Sequence, residues 1–281
     1  MNVATALPTP GPAPEADRPA AVEVLSVEKT YPNGTRALQP VNLTVQQGEF
    51  VTLLGPSGCG KSTLLKMIAG LLAPSDGRLL LWRKPVDAVE ASGNRLSFVF
   101  QEPTLMPWAR VQANVRLPLE LAGVPRAEAD ARVQQALTLV GLDKFAGNLP
   151  RELSGGMQMR VSIARGLVTQ PTLLLMDEPF GALDEITRNR LDSDLLELWQ
   201  RQKLTVIFVT HSIYEAVYLS TRVVVMAARP GRVVEEVAID EPYPRGPAFR
   251  VSTAFSDCAR RLQDALLRAS ASDSSEDEAL A

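Results

Sequence analysis

Residues Gly55-Pro56-Ser57-Gly58-Cys59-Gly60-Lys61-Ser62 combine three glycines, an ammonium and a hydroxyl at the spacing G-x-x-x-x-G-K-[ST], with Thr63 next. Glycines let a backbone wrap closely around phosphate oxygens. The lysine reaches β- and γ-phosphates, and the Ser62 hydroxyl is placed to ligate Mg²⁺. Far downstream, Leu153-Ser154-Gly155-Gly156-Met157-Gln158 sets a small hydroxyl and two glycines in front of a helical pattern. That is the build of a helix N-terminus shaped to meet a phosphate. Two phosphate-facing elements for one nucleotide are simplest to reconcile if the second serves the nucleotide of another copy.

Three further positions could act on the same phosphates. Leu173, Leu174, Leu175 and Met176 form an apolar run that ends in Asp177 and Glu178. Beside a phosphate loop, Asp177 suits the acid that holds Mg²⁺. Glu178, one residue beyond, suits a general base aimed at water. The plain alternative, a solvated strand end, loses weight once the run is paired with the upstream loop. His211, the single histidine, follows the strand-like Thr205–Thr210, at an edge where open α/β sheets bind ligands. Its imidazole could hydrogen-bond a γ-phosphate. Gln101 ends the strand-like Leu96–Phe100, where its amide could reach Mg²⁺ or the attacking water. Tyr31, beside a Pro-Asn-Gly turn, is either a ring for adenine stacking or ordinary packing.

The elements that must position these groups follow from hydrophobic periodicity. β-like segments cover about 21–30 and 40–46, then Phe50–Leu54 runs into the Gly-rich loop. Lys61–Leu71 has helical spacing, and strands are predicted at Arg78–Trp82 and Leu96–Phe100. Residues 112–169 read as mainly helical, with breaks near Pro125 and Pro150, and so as an inserted subdomain of about 103–169. Alternation then resumes with strands at 172–176, 205–209 and 222–226 and helices at 186–202 and 213–219. This order predicts a largely parallel sheet covered on both faces. A C-terminal helical segment is predicted within 246–268. Residues 1–20, rich in Pro and Ala, and residues 269–281, small and acidic, read as disordered ends.

Net charge is −3 over 281 residues, and four of the acids lie in the tail at Asp273, Glu276, Asp277 and Glu278. The remaining body is close to neutral, which argues against nucleic acid as a partner. Cys59 and Cys258 read as reduced thiols. No apolar run approaches the ~20 residues needed to span a bilayer, and the N-terminus lacks a secretory pattern. A cytosolic protein is expected, meeting a membrane only through a partner.

In their order, Gly55–Ser62, Gln101, Leu153–Gln158, Leu173–Glu178, Phe180-Gly181-Ala182-Leu183-Asp184 and His211 resemble the nucleotide-binding subunit of an ABC transporter. The resemblance spans about residues 22–245. It implies an α/β P-loop NTPase core of ABC type over 21–245, with an antiparallel β subdomain and an inserted helical subdomain. It also implies ATP and Mg²⁺ as cofactors and a head-to-tail homodimer around two ATP molecules. Each site then pairs one copy's phosphate loop with the other's Ser154, Gly155, Gly156 and Gln158. Asp184 falls at the dimer-crossing loop, Tyr31 on the adenine, Glu178 at the general base and His211 at the γ-phosphate switch. One departure is visible: the signature reads SGGMQ where many members have SGGQ, which displaces Gln158 by one position.

Phe100–Trp108, Val111–Asn114 and Ala228–Arg232 are similar to the importer group for nitrate, sulfonate and taurine. That implies an ATPase at the cytoplasmic face of the inner membrane, peripheral to permease subunits, with a periplasmic solute-binding protein as an indirect partner. Leu105, Met106 and Trp108 are then either a permease-docking groove or core packing. A soluble ABC-type ATPase acting on nucleic acid or ribosomes is the alternative, disfavoured by the near-neutral body. A small-molecule P-loop kinase would have no use for Leu153–Gln158.

Overall fold

A computed structural model describes residues 18–88, 93–228 and 230–279. The expected N-terminal extension therefore lies outside the described residues, apart from its last three.

Two sheets carry the fold. The larger has six strands in the order β10 (Arg232–Ala238), β9 (Arg222–Ala227), β3 (Phe50–Leu54), β8 (Thr205–Thr210), β7 (Leu173–Asp177), β6 (Leu96–Val99). All its pairings are parallel except β10 with β9. β3, β7 and β8 are buried along their whole length, as strands covered on both faces must be. Their alternation divides the core. Phe50, Leu54, Leu174, Met176, Val206 and Phe208 join one cluster, while Val51, Leu53, Leu173, Leu175, Ile207 and Val209 join another on the opposite face.

The first face is covered by α5 (Glu185–Gln202), α6 (Ile213–Leu219) and α7 (Thr253–Ala279). The second is covered by α1 (Lys61–Ile68) and by the smaller antiparallel sheet. That sheet orders β2 (Arg36–Gln46), β1 (Ala20–Thr30), β4 (Asp76–Leu81) and β5 (Lys84–Pro85). Between β6 and β7, α2 (Val111–Leu121), α3 (Arg126–Leu139) and α4 (Gly155–Leu167) enclose a third core of Val115, Leu119, Val133, Leu137 and Val161.

Two elements differ from the sequence reading. β10 was not expected; its central acids Glu235 and Glu236 interrupt the apolar pattern of a strand at the sheet edge. The C-terminal helix also runs on to Ala279, through residues whose acidic, small-residue composition predicts a disordered tail. A helix already nucleated and packed near Phe255 and Leu262 extends at the cost of one residue per new hydrogen bond. Among the described residues, no helix is long and apolar enough to cross a membrane.

Candidate functional site

Parallel order brings the C-terminal ends of β3, β7 and β8 side by side, and each delivers part of the site. β3 runs into the loop that ends at α1. Gly60 caps that helix from a left-handed backbone, φ 90°, without a side-chain hydrogen bond. The first-turn N–H groups of α1 are thus left for a ligand, a ready anion site. A side chain on Gly58 would meet nothing within 4 Å, so the loop opens outward there.

Lys61 is 3% exposed, and its ammonium donates to Gly55 O at 2.8 Å and Pro56 O at 2.9 Å. These carbonyls compensate the desolvation of the charge and hold it in the loop. Cys59 is fully buried, and burial pushes its thiol above the ordinary range. Only its backbone can face a ligand.

β7 ends at Asp177, and Ser62 Oγ donates to Asp177 Oδ1 at 2.6 Å. Burial raises the Asp177 carboxyl above the usual carboxylate range, which a neighbouring cation would reverse. Glu178 follows with φ 44°, a left-handed conformation that a non-glycine residue adopts at a cost. Its carboxylate lies 3.7 Å from Lys61 Nζ through one oxygen and 3.4 Å from His211 Nδ1 through the other. His211 comes from the end of β8.

Tyr31, Ser57, Gly58, Gly60, Lys61, Ser62, Thr63, Gln101 and Glu178 line one open cleft of about 990 Å³. Tyr31 is tied to the phosphate loop through a 3.4 Å hydrogen bond between its hydroxyl and Thr63 Oγ1.

The fit to a nucleotide with its metal is chemical. Loop N–H groups and Lys61 suit phosphate, while Ser62, Asp177 and Gln101 offer oxygen ligands of the kind a hard cation takes. Among the described residues, no group of three or more His, Cys, Asp and Glu could hold a metal ion. The protein groups alone would hold a Mg²⁺ only in part, leaving the rest of its shell to phosphate oxygens and water.

Ser154, Gly155 and Gly156 are not among the residues lining that cleft. Ser154 caps α4, accepting Met157 N at 3.3 Å, and Asp184 caps α5, accepting Thr187 N at 3.0 Å. The two helix starts abut: a Cβ on Gly156 would lie 2.7 Å from Thr187 Cγ2. Gln158 donates to Pro150 O at 3.0 Å and Leu153 O at 3.3 Å, so its amide is engaged within its own chain.

Sequence reasoning missed Gly231, which also lines the cleft. Its backbone exchanges hydrogen bonds with the chain around Leu38: Gly231 N donates to Ala37 O and Gln39 N to Gly231 O. A Cβ there would fall 2.3 Å from Cys59 O. The Pro-Gly pair at 230–231 was the available signal.

A strand, a Gly-rich loop and a helix, with an acid pair on the adjoining strand end, define a P-loop α/β nucleotide-binding cassette. Residues 38–181 match the family model described as ABC transporter, and the chain belongs to that family. It is 47% identical over 233 residues to a putative ATP-binding protein of Brucella abortus, covering 83% of this chain and 88% of that one. It is 51% identical over 210 residues to the taurine import ATP-binding protein TauB of Rhizobium johnstonii, covering 75% and 79%. Among solved structures, the dimeric post-hydrolysis state of the ATP-binding cassette MJ0796 bound to ADP and Pi is similar. The TM-score is 0.69 at 33% identity, covering 79% of this chain and 100% of that one.

Proposed function

We propose that this chain is the ATP-hydrolysing subunit of a bacterial importer for a small sulfonate of the taurine type, working through a separate permease. The observation that carries the ATPase reading is Glu178, its carboxylate set between Lys61 and His211 at the mouth of the phosphate loop. Lys61 and the first-turn N–H groups of α1 bind the phosphates, and Tyr31 supports the adenine. Mg²⁺, held by Ser62, Asp177 and Gln101, would offset charge on the β- and γ-phosphate oxygens. Glu178 accepts a proton from the attacking water, and His211 holds Glu178 in place while contacting the γ-phosphate.

Ser154, Gly155 and Gly156 of a second copy close the site, since in their own chain they lie off the cleft. Asp184 sits beside them at the crossing. The permease partner is supported by Trp108, 79% exposed and a short way past Gln101. Leu105 of the same segment packs instead on the helical core, so the exposed Trp108 ring is the part left to meet a partner. The solute class rests on the likeness to TauB. The chain then works peripherally at the cytoplasmic face of the inner membrane, with a periplasmic binding protein presenting the solute.

The test is Glu178→Gln. Phosphate release should fall at least about 100-fold, while ATP binding persists and the chain elutes as a dimer with ATP. Hydrolysis at the normal rate would remove Glu178 from this role.

A further inference from the structure

Behind the catalytic edge lies a buried group of charges that the hydrolysis step does not use. Arg188 and Asp192 stand four residues apart on α5, hence on one face. Glu215 faces them from α6, and Arg250 from the single turn at Pro247–Val251 that leads into α7. Asp192 is fully buried and Glu215 is 4% exposed. Arg250 Nη2 donates to Asp192 Oδ2 at 2.8 Å, and its guanidinium lies 3.6 Å over the Tyr218 ring.

Arg188 has two tasks. Its Nε lies 3.5 Å from Glu215 Oε1, an ion pair in which neither atom is hydrogen-bonded, and its Nη2 donates to Leu183 O at 2.9 Å, in the loop that sets Asp184. Glu215 in turn accepts a hydrogen bond from Thr210 Oγ1, and that same oxygen accepts Ser212 N at 2.9 Å. These two bonds bracket the His211 backbone, and His211 contacts Glu178.

We infer that Arg250 is a positioning residue for hydrolysis: by neutralising Asp192 it leaves Arg188 free to hold Glu215 and Leu183, and through them His211 and the Asp184 loop. The C-terminal segment is thereby built into the ATPase site. Two carboxylates and two guanidiniums balance in this pocket. Remove Arg250, and Arg188 is the remaining cation that can answer two buried carboxylates. It is drawn one turn along α5 towards Asp192, away from Leu183 and Glu215. Burial and the nearby Glu215 charge push Asp192 up to about 7, while Arg250 and Arg188 hold it down.

The inference rests on the ATPase reading, and the experiment separates the two. In the full-length chain at alkaline pH, where Asp192 is ionised, Arg250→Gln should lower kcat about tenfold with KM for ATP unchanged, because the phosphate loop and Tyr31 are untouched. Arg250 holds the Asp192 pKa down, so the loss should be largest at alkaline pH, where Asp192 is ionised without its partner, and should shrink as pH falls. Adding Asp192→Asn to Arg250→Gln removes that charge permanently and should restore most of kcat. The same pair keeps the test open if Arg250→Gln alone misfolds, and Arg250→Lys should retain intermediate activity. A normal kcat in Arg250→Gln, or a loss that Asp192→Asn does not relieve, overturns the inference. Glu178→Gln runs alongside: if it hydrolyses ATP normally, the ATPase assignment itself has failed.

Discussion

Ser62 and Asp177 meet at 2.6 Å across the sheet edge, although 115 positions separate them in the chain. As a proposed cation site, one hydroxyl, one carboxylate and the Gln101 amide are sparse, so each ligand would count. Ser62→Ala should raise the Mg²⁺ concentration needed for half-maximal ATPase roughly tenfold, read from a Mg²⁺ titration at saturating ATP. Asp192 makes a prediction about pH. Its folded pKa of about 7 stands above the ordinary carboxylate value of 3.8. The folded chain therefore holds this proton more firmly than the unfolded chain. Stability from the group is complete at acid pH and declines as pH rises from about 4 to about 7. Burial shifts Glu215 in the same direction. The paired Asp192→Asn, Arg250→Gln variant should lose part of this slope, measured as urea midpoints at pH ~5 and ~8.

At the scale of elements, Ser154 caps α4 and should also serve a second chain's nucleotide, and the two roles can be separated. Ser154→Ala removes the cap and should cost about 1 kcal/mol in the monomer. Ser154→Asp keeps a good cap but sets a carboxylate where a phosphate is expected. It should melt like the parent chain yet lose ATP-driven dimerisation and turnover, as checked by thermal melts beside gel filtration with ATP. Gly231 joins β9–β10 to β2 and the phosphate loop by close backbone approach. A Cβ would lie 2.3 Å from Cys59 O and 2.7 Å from Ala37 O, both backbone atoms that cannot move aside cheaply. Gly231→Ala should destabilise by ~2 kcal/mol and weaken ATP binding, visible in urea unfolding and nucleotide titration.

For the whole molecule, the proposed closure of one copy's cleft by the other's Ser154–Gly156 would make activity a property of two copies. Lys61→Ala and Ser154→Asp chains should each be inactive alone. Mixed, they should regain ATPase, because one of the two composite sites in a heterodimer keeps both intact halves. Silence on mixing would mean that the halves do not combine. Trp108 lies on the face proposed to meet the permease. Trp108→Ala should leave the purified chain's ATPase within about twofold, while recruitment to membranes bearing the permease falls, as sedimentation would report.

Contiguous patterns were legible in the chain. Gly55–Ser62 runs from the end of β3 into the first residues of α1, and Asp177–Glu178 closes an apolar run, so sequence alone announced phosphate chemistry and the alternating α/β order. The helix start at Ser154 was local as well, because a cap needs only its own first turn. Other features depend on which strand ends lie side by side. Glu178 meets both Lys61 and His211 only because β3, β8 and β7 are neighbours in parallel register. Gly231 reaches Cys59 only once β9 is paired with β3. Arg250 finds Asp192 only when the turn before α7 packs on α5 and α6. The continuation of α7 to Ala279 was likewise set by the packing of its first turns, against the preference of its own acidic end. A local pattern is decided by neighbours along the chain. A buried charge balance and a close backbone approach are decided by packing, which brings together residues that the sequence keeps far apart.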